Sequence, residues 1–235
     1  IPITNVSGHV KYSEQGLDNW EITTNIGETI LKSQGYTAGG WFDPRFHAEV
    51  DIEEGDFNIV EGYLKSALYD RYLSVFNGKV SPQSKAYEKM LATDLSWIEQ
   101  LTTEGIFTGK FVLSGYFSQF SIYGAVNVID GLIEHPDFPE PLTKVNGLIG
   151  YKDGNVSINS FAGETVGGLF NISGSIEDVL AVPYLNLHVN LDDLSLQSIV
   201  ESYTDWDVTG SLDFSADIGG FYNQPFALYG IEISP

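Results

Sequence analysis

Strict alternation of apolar and polar residues is the feature that most constrains the fold of this chain. In the stretch 46–53 every second residue is apolar and every other residue is polar, and the stretches 185–192 and 212–218 follow the same rule. Side chains of a β-strand point alternately to the two faces of a sheet, so this period of two predicts strands with one apolar and one polar face. Turn-forming residues, as in 152–155 and 219–220, separate the strands. The pattern predicts a mainly β protein.

An internal repeat organises these strands. At an offset of 139 residues the chain matches itself without a gap from position 6 to about position 60, with Val6 on Val145, Gly35 on Gly174 and Pro44 on Pro183. The match resumes at shorter offsets, where Gly109 meets Gly210 (101 residues) and Phe120 meets Phe226 (106 residues). The repeat predicts two tandem units, each made of a strand block, a helical segment and a second strand block.

A helical insert is predicted between the strand blocks of the first unit. Ser81-Pro82 is a helix start, and apolar residues recur at helical spacing over 60–76 and 87–101, whereas the second unit has one short helix at about 196–203. The apolar stripes of such helices either pack as core on the sheet or form a lid or plug over its apolar face. The predicted organisation is a first strand block over 1–57, the insert over 58–105, a strand block over 106–144 and the second repeat over 145–235.

Charge limits the partners of this chain. The 235 residues carry 11 Lys and Arg against 32 Asp and Glu, a net charge of −21. Because nucleic-acid binding depends on neutralising phosphates, the sequence predicts no nucleic-acid partner, and electrostatic docking on an anionic membrane is disfavoured for the same reason. Without cysteine there is no disulfide and no thiolate chemistry. No run of 18 apolar residues marks a membrane-spanning helix.

Catalytic and metal-binding signatures are missing from the sequence. It contains no GxSxG elbow, HExxH motif or P-loop. His47 and His188 fall on polar strand faces, which favours surface roles over metal binding. The acidic pairs at 53–54 and 192–193 stand where a strand gives way to a helical segment, a position that favours interaction with the helix dipole over a calcium site. We expect no enzymatic activity, no cofactor and no metal.

The order of the repeat motifs resembles the repeats of the AsmA-like and TamB-like proteins. The resemblance covers nearly the whole chain, apart from 58–104 and the Pro-rich loop 135–141, and its motifs are degenerate Gly and alternating apolar positions. They are the run 145–158 with its continuations 161–163 and 167–176, Pro183-x-Leu185-x-Leu187, Gly210-x-Leu212-x-Phe214 and Phe226-x-Leu228-x-Gly230.

What the resemblance implies is a fold and a function. Such proteins are anchored in the inner membrane and cross the periplasm as an elongated, curved, antiparallel-rich β-sheet that folds into an open trough (a β-taco) with an apolar interior. They are implicated in phospholipid transport toward the outer membrane, and TamB-like members also in outer-membrane protein biogenesis with an outer-membrane β-barrel partner. By this resemblance the chain is an internal segment of a cell-envelope protein that carries phospholipid or other acyl-chain cargo.

The alternating positions supply candidate residues for the lining of the trough. They are Phe46, Ala48, Val50, Ile52, Phe111, Leu113, Phe120, Ile122, Leu185, Leu187, Val189, Leu191, Leu212, Phe214, Phe226 and Leu228. Two other functions remain open at this point. One is a closed structural or adhesive β module with a dry core, and the other is a glycan-binding β protein that uses Trp20, Trp41 and Trp206 as platforms.

Overall fold

The chain folds into one twelve-stranded antiparallel sheet in which the order of the strands follows the order of the chain. A computed structural model describes residues 3–14, 16–39, 44–58, 62, 65, 96–97, 99–116, 118–179, 183–201, 204, 206–221 and 226–234. Within those residues β1 pairs only with β2 and β12 only with β11, so the sheet has two edges and is not closed. The predicted fold class, a mainly β, open, antiparallel sheet, is confirmed, and a closed sandwich is not formed.

The strands are long. They are β1 (Ile3–Ser13), β2 (Gly16–Ile26), β3 (Thr29–Ala38), β4 (Arg45–Asp56), β5 (Thr102–Tyr116), β6 (Gln119–Glu134), β7 (Leu142–Lys152), β8 (Asn155–Thr165), β9 (Gly168–Glu177), β10 (Tyr184–Ser195), β11 (Ser211–Phe221) and β12 (Phe226–Ser234). The one complete helix in the described part of the chain, α1, is Leu196–Glu201 and follows β10 directly. At about 3.3 Å per residue, the 16 residues of β6 extend over roughly 50 Å.

The pairing register sorts the side chains into two faces. Val50, Phe111 and Gly124 stand opposite one another on β4, β5 and β6, and residues two positions along each strand continue this face. We call it the inner face because its residues in the central strands are buried or half-buried, whereas those of the other, outer face are mostly exposed. Strand β9 shows the difference, since Phe170 is 3% exposed and its neighbour Leu169 is 55% exposed.

The repeat found in the sequence is a repeat of the structure. The ends of β1 to β4 fall on the ends of β7 to β10 at an offset of 139 residues. Even the irregularities recur, since Asn5 and Lys144 both have positive φ within a bulge. The last two strands of each unit are related by an offset of 105, which superposes Gly105 on Gly210 and Gly115 on Gly220, all with positive φ. The offsets of 101 and 106 predicted for this part of the repeat are wrong.

The predicted helical insert lies mostly outside the described residues, including its start at Ser81-Pro82 and most of both apolar stripes. Asn58, Gly62 and Lys65 at one end, and Ser96, Trp97 and Glu99 at the other, have helical backbone. Strand β5 begins at Thr102, inside the segment assigned to the insert, because backbone pairing with β6 already starts there. The short helix predicted in the second unit is present as α1.

Buried residues concentrate near one end of the strands. Phe57, Phe107, Val128, Val145 and Phe170 form the core cluster, and all lie on or next to the inner face near the connections that follow even-numbered strands. The root of the helical insert is fixed here by hydrogen bonds, from the Phe57 amide to the Gly105 carbonyl (3.0 Å) and from the Thr103 hydroxyl to the Phe57 carbonyl (3.3 Å).

Aromatic rings lie over glycines on the inner face. A Cβ added to Gly124 would stand 2.5 Å from Cδ1 of Phe111, and one added to Gly35 would stand 2.3 Å from Cζ2 of Trp20. These glycines let a neighbouring ring lie flat on the strand, which brings the inner-face layer close to the backbone.

Candidate functional site

The inner face carries no charged side chain at the regularly paired positions of the described strands. Those positions hold aliphatic, aromatic, Gly, Ser and Thr residues across all twelve strands. Twelve strands about 4.8 Å apart make this surface roughly 50 Å wide. The chain has 43 charged residues and a net charge of −21. The lack of charged side chains at these positions is therefore the property that defines the candidate site.

Fourteen of the sixteen predicted lining residues lie on the inner face. The register aligns Phe46 with Gly115, Leu113 with Ala48, and Leu187 with Ile218, and the other members of the set continue these rows. Their exposure varies, since Phe46 and Ala48 are each 9% exposed and Phe120 is 48% exposed. The Phe46 and Phe120 rings lie 5.8 Å apart and tilted, so the face is continuous from β4 to β6.

The prediction for Phe226 and Leu228 is wrong. These residues pair with Gly219 and Asp217 and therefore lie on the outer face, while Tyr229 pairs with Ala216 on the inner face. The rings of Phe214 and Tyr229 stack at 6.5 Å, which confirms the inner position of Tyr229. A one-residue slip moves every side chain of a strand to the other face, and the offset of 106 differs by one from the structural offset of 105.

Sequence reasoning also missed the central third of the inner face. Strands β7, β8 and β9 contribute residues such as Ile149, Phe161 and Ile172, which pack on the core cluster or continue its rows. The alternation Val156-x-Ile158 and the 139-residue repeat would have indicated β8, since the repeat places Leu17 of β2 on Val156 and Ile22 on Phe161.

Several polar groups of the inner face have partners within it. The indole Nε1 of Trp20 donates to the Ser33 hydroxyl at 3.2 Å, and the Thr37 hydroxyl donates to the carbonyl of Leu17 at 2.9 Å. Such local pairing lowers the cost of covering these groups with an apolar ligand, because buried polar groups are costly only when they lack partners.

Charged residues of the strands line the outer face, where they pair across strands. Lys110 lies 3.3 Å from Glu49 and 3.6 Å from Asp51. Hydrogen bonds from Gln34 and then Lys110 lower the pKa of Glu49, and the hydrogen bond to Glu49 raises the pKa of Lys110. These exposed pairs fix which face is turned to water and add little to stability.

A shallow groove of about 750 Å³ also lies on the outer face, over strands β5 to β9. Its walls mix charged Lys110, Lys152 and Glu177 with the exposed ring of Tyr123. The groove stands on the opposite side of the sheet from the predicted lining residues, so it is not part of the uncharged face.

The two ends of the strands differ in charge. We call the connections after even-numbered strands, with the adjoining strand ends, the acidic rim, and the hairpins after odd-numbered strands the aromatic rim. The described residues of the acidic rim include sixteen carboxylates and three cations, Lys32, Lys65 and Lys144. The carboxylates are Glu28, Glu53, Glu54, Asp56, Glu99, Glu104, Asp130, Glu134, Asp137, Glu140, Glu164, Asp192, Asp193, Glu201, Asp207 and Asp213.

The aromatic rim is nearly neutral by comparison. Its described charges are five carboxylates, from Glu14, Asp18, Asp153, Glu177 and Asp178, and three cations, from Lys11, Arg45 and Lys152. Seven aromatic residues of this rim are between 38% and 61% exposed, and they are Tyr12, Tyr36, Tyr116, Phe120, Tyr184, Phe221 and Phe226.

A buried histidine fixes the insert to the acidic rim. The side chain of His135 is 1% exposed, and its Nδ1 accepts a hydrogen bond from the Asp137 amide at 3.0 Å. Its Nε2 therefore donates to the Trp97 carbonyl at 3.0 Å, and the two rings stack at 4.3 Å. Because the loop after β6 holds the last turn of the insert in this way, His135 has a structural role, which the prediction of surface histidines did not include.

Of the tryptophans proposed as glycan platforms, the two that the structure describes, Trp20 and Trp206, are not brought together. Trp20 lies on the inner face, Trp206 is 72% exposed on the acidic rim, and Trp41 lies outside the described residues. Among the described residues no group of three or more His, Asp or Glu side chains is arranged to hold a metal ion. The same part of the chain contains no helix of the length and hydropathy needed to cross a membrane.

Comparison with known proteins adds no identity, since no family model, no curated protein and no solved structure matches the chain. The resemblance to the AsmA-like and TamB-like repeats rests on the motifs quoted from the sequence.

Proposed function

We propose that the chain is a segment of a cell-envelope protein that binds the acyl chains of phospholipid along its inner face and conducts them between the inner and outer membranes. The observation that carries the proposal is the uncharged inner face, which is open at both edges of the sheet. A sheet with one apolar face must cover that face, and the described part of this chain provides only the short helix α1 and the ends of the insert to do so.

The dimensions of the face suit this cargo. The acyl chains of one leaflet extend over about 15 Å, half of the roughly 30 Å hydrocarbon core of a bilayer. The inner face is about two to three times longer than that along either direction of the sheet. The proposal includes a periplasmic location, no catalytic step and no cofactor, in line with the resemblance, and support for outer-membrane protein biogenesis through a β-barrel partner of the full-length protein.

Native mass spectrometry with lipid extraction, on protein purified without detergent, tests the proposal. We expect co-purified phospholipid in the native protein and its loss in Leu187→Asp, which introduces a charge on the inner face. The matched control is Asn186→Asp, which adds the same charge one residue away on the outer face and is expected to keep the lipid.

Other outcomes of this experiment point to different functions. An unliganded mass for the native protein, with an inner face that is protected from a hydrophobic dye, would support a structural module. Equal loss of lipid in both variants would show that the bound lipid does not occupy the inner face.

A further inference from the structure

Two hairpins of the aromatic rim carry exposed aromatic rings and no charged residue of their own. The hairpin stretches 114–121 and 219–228 contain no Lys, Arg, Asp or Glu. Phe221 packs edge-on against Tyr184, with ring centroids 5.3 Å apart, and Phe226 lies over Gly219. Phe221 and Phe226 nevertheless remain 55% and 58% exposed on the outer face. Exposed rings grouped at one end of a molecule mark a surface that contacts an apolar partner.

The composition of the rim identifies the kind of partner. Tyrosine is enriched where proteins meet the membrane–water interface, because its ring buries its body and keeps its hydroxyl hydrated, and phenylalanine is among the apolar side chains that enter that interface. The Tyr116 hydroxyl, for example, accepts a hydrogen bond from Arg45 while its ring is 40% exposed. The small net charge of this rim permits approach to a bilayer, whereas the carboxylates of the acidic rim are repelled by phosphate groups.

We propose that the aromatic rim docks at the interface of a zwitterionic phospholipid bilayer, with the acidic rim turned away from it. The inference deepens the proposed function and rests on it for its biological meaning, since a lipid that leaves the bilayer at this rim meets the inner face at Phe120 and Phe46. The docking itself depends on outer-face and rim residues, so it can be measured separately from acyl-chain binding.

Flotation of the native chain with vesicles of phosphatidylcholine alone tests the docking. The double variant Phe221→Ser, Phe226→Ser is expected to bind these vesicles about tenfold more weakly, because two rings no longer enter the interface. The matched control is Leu169→Ser with Trp206→Ser, which removes two apolar side chains that are at least as exposed as Phe221 from the acidic-rim end of the molecule. It is expected to change binding by less than about twofold, since these residues face away from the bilayer.

Vesicle charge provides a second readout. Adding phosphatidylglycerol to the vesicles is expected to weaken the binding of this −21 chain, and added salt is expected to restore it by screening. The proposal is overturned if the native chain does not float with phosphatidylcholine vesicles, or if the control pair loses as much binding as the rim pair. Urea midpoints of both double variants, compared with the native chain, establish that the folded state is what floats.

Failure of the docking and failure of the proposed function give different results. Binding of a pyrene-labelled phosphatidylcholine monomer reports on the inner face and is expected to be lost in Leu187→Asp, while the flotation of that variant is unchanged. Flotation without monomer binding would leave the docking in place and remove the inner-face function. Binding of the lipid monomer without flotation would support the inner-face function and overturn the docking.

Discussion

Replacement of valine by threonine at two equivalent positions of the repeat tests the assignment of the faces. Val6 and Val145 are related by the 139-residue offset, but Val6 is 65% exposed on the edge strand β1 and Val145 is 0% exposed on β7. Threonine has the shape of valine and a similar preference for strands, so the substitution changes one methyl group into a hydroxyl and leaves no cavity.

The expected cost follows from the surroundings of each residue. Val145 lies in the core cluster with Val128, Phe107 and Phe170, where a hydroxyl replaces apolar contacts. Burying such a group without a good partner costs about 1 to 3 kcal/mol, and 2 kcal/mol lowers the ratio of folded to unfolded protein about 30-fold. For Val6→Thr the hydroxyl stays in water, and we expect a change of less than about 0.5 kcal/mol.

Equilibrium unfolding in urea measures both changes. With a dependence on urea of about 3 kcal/mol per molar, 2 kcal/mol moves the midpoint of Val145→Thr by roughly 0.7 M, while the slope stays constant. Val145→Ala is a second variant at the same site, and the cavity it leaves is expected to cost about 2 to 3 kcal/mol. A midpoint for Val145→Thr equal to that of Val6→Thr would refute the burial of β7 and the assignment of the inner face.

Three further predictions concern packing, the insert and pH. Gly124→Ala is expected to cost about 1 to 3 kcal/mol because its new methyl group meets a carbonyl and a ring, whereas Gly230→Ala, with only a 3.5 Å contact, is expected to be neutral or stabilising, as thermal unfolding will show. His135→Phe keeps the stack on Trp97 but removes two hydrogen bonds, so urea unfolding is expected to show a loss of about 1 to 2 kcal/mol, and an unchanged stability would contradict a stabilising role for these two hydrogen bonds. The pKa of Glu49 is lowered in the folded state, so its ionised carboxylate contributes to folding stability above the ordinary pKa of 4.5, and this contribution is lost as pH falls through the lowered pKa. The stability of Glu49→Gln, measured by urea unfolding at several pH values, is therefore expected to fall less steeply with acid than that of the native chain.

The fold and most of the inner face are predictable from the sequence. Apolar and polar residues alternate with a period of two, and the side chains of a β-strand point to the two faces of a sheet with the same period. The stretch 46–53 reads as apolar and polar in turn, and the structure places Phe46, Ala48, Val50 and Ile52 in one row. The same argument holds for 185–192 on β10. In such strands the pattern fixes the register, since any slip would expose the apolar row.

The second half of the repeat shows where this reasoning fails. The predicted offset of 101 differs from the structural offset of 105 by four residues. Because an even shift keeps each side chain on the same face, Leu212 and Phe214 are predicted on the correct face, although the residues of the first unit to which they were matched are wrong. The offset of 106 differs by one, and Phe226 and Leu228 were assigned to the wrong face. Strand β12 begins with apolar residues on both faces, which hides the error over 226–229. The alternation Ile231-Glu232-Ile233-Ser234 at its end places Phe226 and Leu228 in the polar row, so the whole strand indicates the correct face.

Bulges set a second limit on prediction from alternation. In β6 the inner residues Val128 and Gly131 are three positions apart, because Asp130 adopts a positive φ and adds a residue to the strand. A regular alternation of faces from Val128 onward would place Asp130 on the inner face, next to the core cluster. Bulges of this kind put charged residues beside the apolar row in the sequence and turn them away from it in the structure.

The distribution of charge between the rims could not be read from composition, which shows only a solvated, acidic exterior. In a meander whose strands alternate in direction, every connection after an even-numbered strand lies at the same end of the sheet. Carboxylates as far apart in the chain as Glu28 and Asp207 therefore share one rim, and the rings of Tyr12 and Phe226 share the other. These residues can be assigned to one rim or the other only when the order of the strands in the sheet is known.

Burial in this sheet depends on the neighbours of a strand as much as on its sequence. Strands β1 and β7 are equivalent in the repeat, yet β1 has one neighbouring strand and β7 has two. Val10 is accordingly 54% exposed, whereas its equivalent Ile149 is half-buried between β6 and β8. The same unit thus contributes little to stability at an edge and much in the interior. This difference is why identical substitutions at Val6 and Val145 separate the effect of position from the effect of residue type.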